Sequence, residues 1–401
     1  MGWLGFPEIV TSVGNFIETN RFFPDVIYVL AAVKIFGHFS RVLGQPSVFG
    51  KILAGIIIGP SVLGLVQDSV LIRGMGDIGV ILLMFLAGME TDMGRFMGSL
   101  KPALYTAFWG VAFPLVLGYL LGVHFAYGQL EALFIGVILV ATSVSITVQV
   151  LREMGRLQSR EGSTILGAAV IDDILGLLIL TIAIGFSAGV LTALQIGKTL
   201  MKILFFFAAA LIIGKRVLPL FFVVTSRMRV SVPLVTGAII VALIYAVAAQ
   251  YLGLAGIVGA YLAGLMIGRK HRSSLLKSIE IIGYSFFIPF FFAGIGLNVK
   301  IDMLSLDTVI FTAIVLLAAI FSKLFGCVIG ARLGGLSLGS SLVVGAGMVP
   351  RGEVALIAAK IGIDAGLIGA GLFTSMVTVA ILTTILAPPM LRIFIKGDIH
   401  I

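Results

Sequence analysis

TILGAAVIDDILGLLILTIAIGFSAGV, Thr164 to Val190, is an apolar run of helix-spanning length, yet Asp172 and Asp173 stand side by side near its middle. An α-helix rises 1.5 Å per residue, so about 20 apolar residues cover the ~30 Å hydrocarbon core of a bilayer. A carboxylate at that depth costs at least ~2.5 kcal/mol on insertion scales, and such groups face a wet cavity or a partner. Adjacent helical positions point about 100° apart. The two aspartates therefore need not share an environment: one can face a cavity while the other meets a cation.

The rest of the chain supports a membrane setting. Of its 401 residues 60% are hydrophobic and 11% charged, and mean hydropathy is +1.19, far outside the range of soluble globular proteins. Apolar cores at about 24–39, 48–65, 70–89, 103–123, 131–151, 164–190, 200–224, 232–251, 254–267, 281–297, 308–333, 341–359 and 367–393 predict an all-α polytopic protein with about thirteen spans. The net charge of +9 reads as cytoplasmic loops rather than a nucleic-acid surface. Arg95, Lys101, Arg152, Arg156, Arg160, Arg227, Arg229, Arg269, Lys270, Arg272 and Lys277 fall in odd-numbered breaks. The even breaks hold only Arg73, Lys198, Lys300 and Lys360. This bias predicts an outside N-terminus and a cytoplasmic C-terminus. No Lys or Arg precedes Arg21, so the basic region of a signal peptide is missing, and Gly2–Phe16 is expected on the outer membrane surface.

An internal repeat is readable across the chain. FLAGMETD (Phe85–Asp92) closes the third span and FFAGIGLN (Phe291–Asn298) the tenth. LAGIIIGPSVLGL (Leu53–Leu65) in the second span echoes LAGIVGAYLAGLMIG (Leu254–Gly268) in the ninth. Both pairs are seven spans apart, and an odd offset reverses helix direction, so the repeat has inverted topology. The expected organisation is one membrane transport domain over 1–401: a first repeat at about 24–190, a linking helix at 200–224, a second repeat at 232–393, and no soluble regulatory domain.

The same offset pairs span five, VATSVSITVQVL (Val140–Leu151), with span twelve, GAGMVPRGEVALIAAK (Gly345–Lys360). Thr142, Ser143, Ser145 and Thr147 make the first polar at its centre, and Pro350, Arg351 and Glu353 the second. Proline removes a backbone donor and clashes with the preceding turn, while hydroxyls satisfy freed backbone groups. Both spans are predicted to break at mid-membrane, where Arg351 and Glu353 would balance the exposed half-helix ends. A proline-kinked helix with a local salt bridge would give the same pattern. Lys323, in AAIFSKLFGCVIG (Ala318–Gly330), is the cation available to an intramembrane aspartate. A purely structural ion pair would also account for it.

Together GKILAGIIIGPSVLGL (Gly50–Leu65), GVILLMFLAGMETD (Gly79–Asp92), ATSVSIT (Ala141–Thr147), VIDDILGL (Val170–Leu177), FFFAGIGL (Phe290–Leu297), SKLFG (Ser322–Gly326) and VPRGEVALI (Val349–Ile357) resemble, in order, the monovalent cation:proton antiporter superfamily. The likeness is to its Asp-Asp branch, which includes bacterial electrogenic Na⁺/H⁺ antiporters. The resemblance implies that Asp173 is the principal ion-binding carboxylate and Asp172 the partner of Lys323. It also implies that Thr142, with Ser143 and neighbouring backbone groups, helps to hold Na⁺ at Asp173. A core moving against a dimerisation scaffold, a homodimer surrounded by lipid, and a prokaryotic inner-membrane location are further implications of the resemblance.

The expected activity is exchange of cytoplasmic Na⁺ or Li⁺ for external protons, without a cofactor. A carboxylate oxygen binds a proton or a hard cation but not both, and exchange follows from that competition. A K⁺/H⁺ exchanger or gated K⁺ efflux protein is the alternative, although no TVGYG-like filter is present. An organic anion/Na⁺ symporter would leave the paired aspartates and Lys323 without a task. An enzyme is not expected: His38, His124, His271 and His400 are scattered, and the single cysteine, Cys327, lies in an apolar run.

Overall fold

The computed structural model describes residues 21–187, 193–267, 269–298 and 306–398. The expected placement of Gly2–Phe16, and Lys300, lie outside the described residues. The described chain is helical throughout, with no strand among the described residues. Its first part holds α1 (Phe22–Val42), α2 (Ser47–Ile58), α3 (Val70–Glu90), α4 (Met93–Gly98), α5 (Leu100–His124), α6 (Gln129–Val140), α7 (Val144–Glu153) and α8 (Arg160–Ser187). There follow α9 (Ala193–Ser226), α10 (Pro233–Tyr251), α11 (Gly256–Met266), α12 (Arg269–Ile282), a π-helical turn (Gly283–Phe287) and α13 (Ile288–Leu297). The last four are α14 (Leu306–Leu333), α15 (Leu338–Gly347), α16 (Glu353–Asp364) and α17 (Ala370–Asp398).

Local chemistry sets several boundaries. Ser69 Oγ accepts the Ile72 N–H at 3.3 Å and opens α3; Asp92 Oδ1 accepts the Arg95 N–H at 3.0 Å and opens α4; Ser337 Oγ accepts the Ser340 N–H at 3.1 Å and opens α15. Each satisfies an orphan donor of a first turn. α2 stops at Ile58 because Pro60 disfavours helical backbone at Gly59.

Among the described residues ten spans are long and apolar enough to cross a bilayer, making this a multi-pass membrane protein. The other three expected crossings fall on shorter apolar helices: α2, α11, and the pair α15 and α16. At 1.5 Å per residue, a helix of 10 to 12 residues is shorter than the hydrocarbon core.

Packing sorts the helices into two bundles. α1–α3 pack with α10–α13, and α5–α8 with α14–α17; α9 runs between them against α8, α10 and α11. We call the first bundle the scaffold and the second the core. They meet chiefly where α7 and α17 face α2 and α3. Water supplies no driving force between helices in lipid, so close van der Waals approach has to. Gly55 of α2 lies so near α13 that a Cβ there would collide with the Ala293 carbonyl, and Gly264 of α11 stands in the same relation to the Phe85 carbonyl of α3. The outward faces are apolar, as on α1, where Phe23, Ile27, Ile35 and Phe39 are exposed.

Candidate functional site

The site is built where two interrupted helices cross. α6 ends at Val140 and α7 begins at Val144, with Ala141 and Ser143 in non-helical backbone. α15 ends at Gly347 and α16 begins at Glu353, with Pro350 between them. Pro350 has no N–H and biases Val349 away from helix. The two breaks satisfy one another: Ser143 N–H donates to Pro350 O at 2.7 Å, Thr147 Oγ1 to Gly347 O at 2.6 Å, and Thr142 Oγ1 reaches Met348 O at 3.5 Å. Backbone groups freed inside the membrane are thereby paired rather than left bare.

Cations cover the carbonyl end of α6. Lys323 Nζ of α14 donates to Val140 O at 2.8 Å, and Arg351 Nη1 donates to Ala141 O at 3.0 Å. Positive charge here meets the negative end of the α6 dipole. Arg351 Nη2 also donates to Ala319 O of α14 at 3.0 Å, so one guanidinium ties α6, α14 and the second break together. Its backbone is held by α17: Arg351 N–H donates to Thr383 Oγ1 at 3.3 Å, and the Thr384 hydroxyl donates to Arg351 O. Arg351 is 1% exposed.

Asp172 and Asp173 occupy different places. Asp172 Oδ1 forms an ion pair with Lys323 Nζ at 2.7 Å, with side chains 1% and 0% exposed. Such a pair offsets the desolvation of both charges only with good geometry and further hydrogen bonds, here the Val140 carbonyl. Asp172 Oδ2 has no hydrogen-bond partner among the described residues. Asp173 is partly buried and lines a cavity of about 220 Å³ with Val137, Ala141, Val354 and Ile361 of the core and the α10–α11 turn of the scaffold. The carboxylate therefore sits at the boundary between bundles, in a cavity that Ala141 of the α6 break also lines.

A second cavity, of about 190 Å³, lies on the Ser143 and Arg351 side of the crossing and reaches Asp77 of α3 and Asn298. Ser143 Oγ has no hydrogen-bond partner among the described residues. Thr142 is buried and turned toward Met348 rather than among the residues lining the Asp173 cavity. Glu353 is the first residue of α16, and its side chain lies outside the described residues. Sequence reasoning missed the Val140, Ala141 and Ala319 carbonyls and the threonines at 383 and 384. Main-chain acceptors leave no residue-type signature, and Thr383–Thr384 reads as ordinary in an apolar helix.

With this geometry established, similarity to known proteins narrows its meaning. A family model described as sodium/hydrogen exchanger, transmembrane, matches residues 27–397. The chain is 41% identical over 373 residues to the Na(+)/H(+)-K(+) antiporter GerN of Bacillus cereus, covering 93% of this chain and 96% of that protein. It is 38% identical over 370 residues to a Na(+)/H(+) antiporter of Enterococcus hirae, covering 92% and 96%. A solved structure of the sodium proton antiporter MjNhaP1 from Methanocaldococcus jannaschii at pH 8 aligns with a TM-score of 0.60 over 90% of this chain and 94% of that one; at 18% identity this is a likeness of fold.

Proposed function

The chain belongs to the sodium/hydrogen exchanger family, and we propose that it exchanges Na⁺ or Li⁺ for protons by alternating access, as a transporter and not an enzyme. The observation that carries this reading is the separation of the paired aspartates. Asp172 is bound to Lys323 inside the core, and Asp173 lines a cavity between core and scaffold. Asp173 is the carboxylate over which cation and proton compete, with Thr142, Ser143 and the carbonyls of the α6 break as cation ligands. Arg351, Glu353 and Pro350 maintain the crossing. Lys323 gives up or takes up a second proton as Asp172 changes partner. Two protons per Na⁺ move one net charge, worth about 2.3 kcal/mol per 100 mV, so a proton-motive force drives Na⁺ outward.

The finer architecture follows the same reading. Thirteen crossings form two inverted six-helix repeats joined by α9, in one transport domain. Support comes from the packing of α2 on α13, which the repeat maps onto α11 on α3: Gly55 faces Ala293 in the first pair and Gly264 faces Phe85 in the second. The Asp-Asp pair supports assignment to the electrogenic branch of the family. The protein sits in the plasma membrane of a prokaryotic cell as a homodimer embedded in lipid, N-terminus outside and C-terminus cytoplasmic.

Potassium is a second candidate cargo, favoured by the name of the Bacillus cereus relative. Transport by proteoliposomes, comparing Na⁺, Li⁺ and K⁺ at several pH values under an imposed potential, tests the proposal. Na⁺- or Li⁺-driven proton flux is expected. Flux with K⁺ alone would replace Na⁺ by K⁺ as the cargo, and cation movement without protons would overturn exchange.

A further inference from the structure

α7 carries the ion-site crossing at one end and a charged cluster at the other. Arg152, near its last turn, touches the scaffold three ways: Nη2 pairs with Glu90 Oε1 of α3 at 2.8 Å and with Glu280 of α12, and Nη1 donates to Tyr284 Oη at 2.7 Å. Tyr284 Oη donates to Gln149 Oε1 at 2.5 Å, and Gln149 Nε2 donates to Glu153 Oε1 at 2.9 Å. Glu153 accepts the Ser47 N–H at 2.7 Å and the Ser47 hydroxyl, and faces Lys51 Nζ at 3.7 Å. Gln149, Arg152 and Glu153 belong to the core; Ser47, Lys51, Glu90, Glu280 and Tyr284 belong to the scaffold.

This network is unlike a scattering of surface ion pairs, which contribute little. The side chains of Arg152, Glu90 and Glu153 are 14%, 16% and 10% exposed, so their charges are screened poorly and depend on one another. Tyr284 sits in the π-helical turn between α12 and α13, a distortion frequent at functional sites, and Lys34 of α1 donates to its carbonyl at 3.4 Å. The Arg152 guanidinium also lies 4.9 Å from the centre of the Tyr284 ring.

Position gives the network its meaning. α6 and α7 leave the crossing on opposite sides. The Asp173 cavity is bounded by α6, α16 and the α10–α11 turn, on the α6 side. On the α7 side the two bundles are tied together by the residues just named. We propose that Arg152 and its partners are the gate that closes the α7 side of the transport path, and that this hub is released at each change of access. The inference rests on the alternating-access reading above. Arg152 is then a positioning residue: it never touches the cargo but holds the helix that forms the site. Removing it takes away the core cation that both scaffold carboxylates, Glu90 and Glu280, hold through one nitrogen, and the loss of these ties favours separation of the bundles on that side.

The test uses a reporter cysteine, Ile361→Cys on the wall of the Asp173 cavity, in the full chain with Cys327→Ala, reconstituted in vesicles and labelled with a membrane-impermeant maleimide. Arg152→Gln is expected to slow labelling by about tenfold, as the population moves to the state open on the α7 side. Arg152→Lys, which keeps a cation between the carboxylates, is expected to recover part of the rate. Folded Arg152→Gln protein labelled at the wild-type rate would overturn the gate. If Arg152→Gln does not fold, Tyr284→Phe decides: it cuts the link to Gln149 and keeps both ion pairs, so slower labelling supports the gate and an unchanged rate overturns it. Labelling needs no ion exchange. Failure of the antiport reading would show separately, as wild-type vesicles with no cation-driven proton flux.

Discussion

Oδ1 of Asp172 lies 2.7 Å from Lys323 Nζ, both groups sealed inside the core, while the next residue, Asp173, lines a cavity at the core–scaffold boundary. Two carboxylates in one apolar helix are thus divided between an ion pair inside the core and a cavity between the bundles. α8 achieves the division with no irregularity, because consecutive helical side chains diverge.

Lys323 separates a counter-ion from a proton carrier. Lys323→Gln is expected to remove the response of Na⁺/H⁺ exchange to an imposed membrane potential even where some exchange survives, because one of two titrating groups is gone. The measurement is Na⁺-driven proton movement in liposomes with and without a potassium-diffusion potential. An active variant as voltage-sensitive as wild type would leave Lys323 only its ion pair. Removing one member of a buried pair costs about 3–5 kcal/mol, so Asp172→Asn combined with Lys323→Gln should melt above either single variant.

Thr142→Ala is expected to weaken apparent Na⁺ affinity by about three- to tenfold, the worth of one oxygen ligand or hydrogen bond, with a smaller effect on maximal rate. Its hydroxyl lies 3.5 Å from Met348 O, long for a hydrogen bond and therefore cheap to redirect. Initial rates against Na⁺ concentration separate the two parameters. Unchanged affinity would remove Thr142 from the ligand set.

Arg351 joins Ala141 O and Ala319 O through separate nitrogens, both at 3.0 Å. Lysine offers a single nitrogen and cannot span both carbonyls with the same planar fork. Arg351→Lys should lower stability by about 1–3 kcal/mol, the cost of one unpaired buried acceptor and a poorer fit. Thermal unfolding in detergent checks this; a melting temperature equal to wild type would contradict the bridging role.

Much of this arrangement is legible along the chain. Apolar run lengths mark the long crossings, and Pro350 with the Thr142–Thr147 hydroxyls marks where two helices stop. Lys323 is conspicuous because an ammonium in an apolar helix needs a partner. The partner's identity is less legible, since Asp172 is 151 residues away and Asp173 is as near in sequence. Only the rotation of α8 against α14 decides between them. The Arg152 network escaped sequence reasoning for a related reason: Arg152 reads as one of several basic loop residues, while Glu280 and Tyr284 lie 128 and 132 residues further on. α2 and α11 are shorter than the apolar runs that contain them, because composition reports burial in lipid, whereas Pro60 and the glycines decide where the backbone ceases to be helical.

Competition between cation and proton at Asp173 is the central claim, and proton release on cation binding tests it most directly. Na⁺ is added to weakly buffered, purified protein, and the protons set free are counted by a pH electrode or dye. Wild type should release protons in step with saturable Na⁺ binding, and folded Asp173→Ala protein should release none on the same addition. Undiminished proton release from Asp173→Ala, or Na⁺ binding to wild type that frees no proton, would contradict the account.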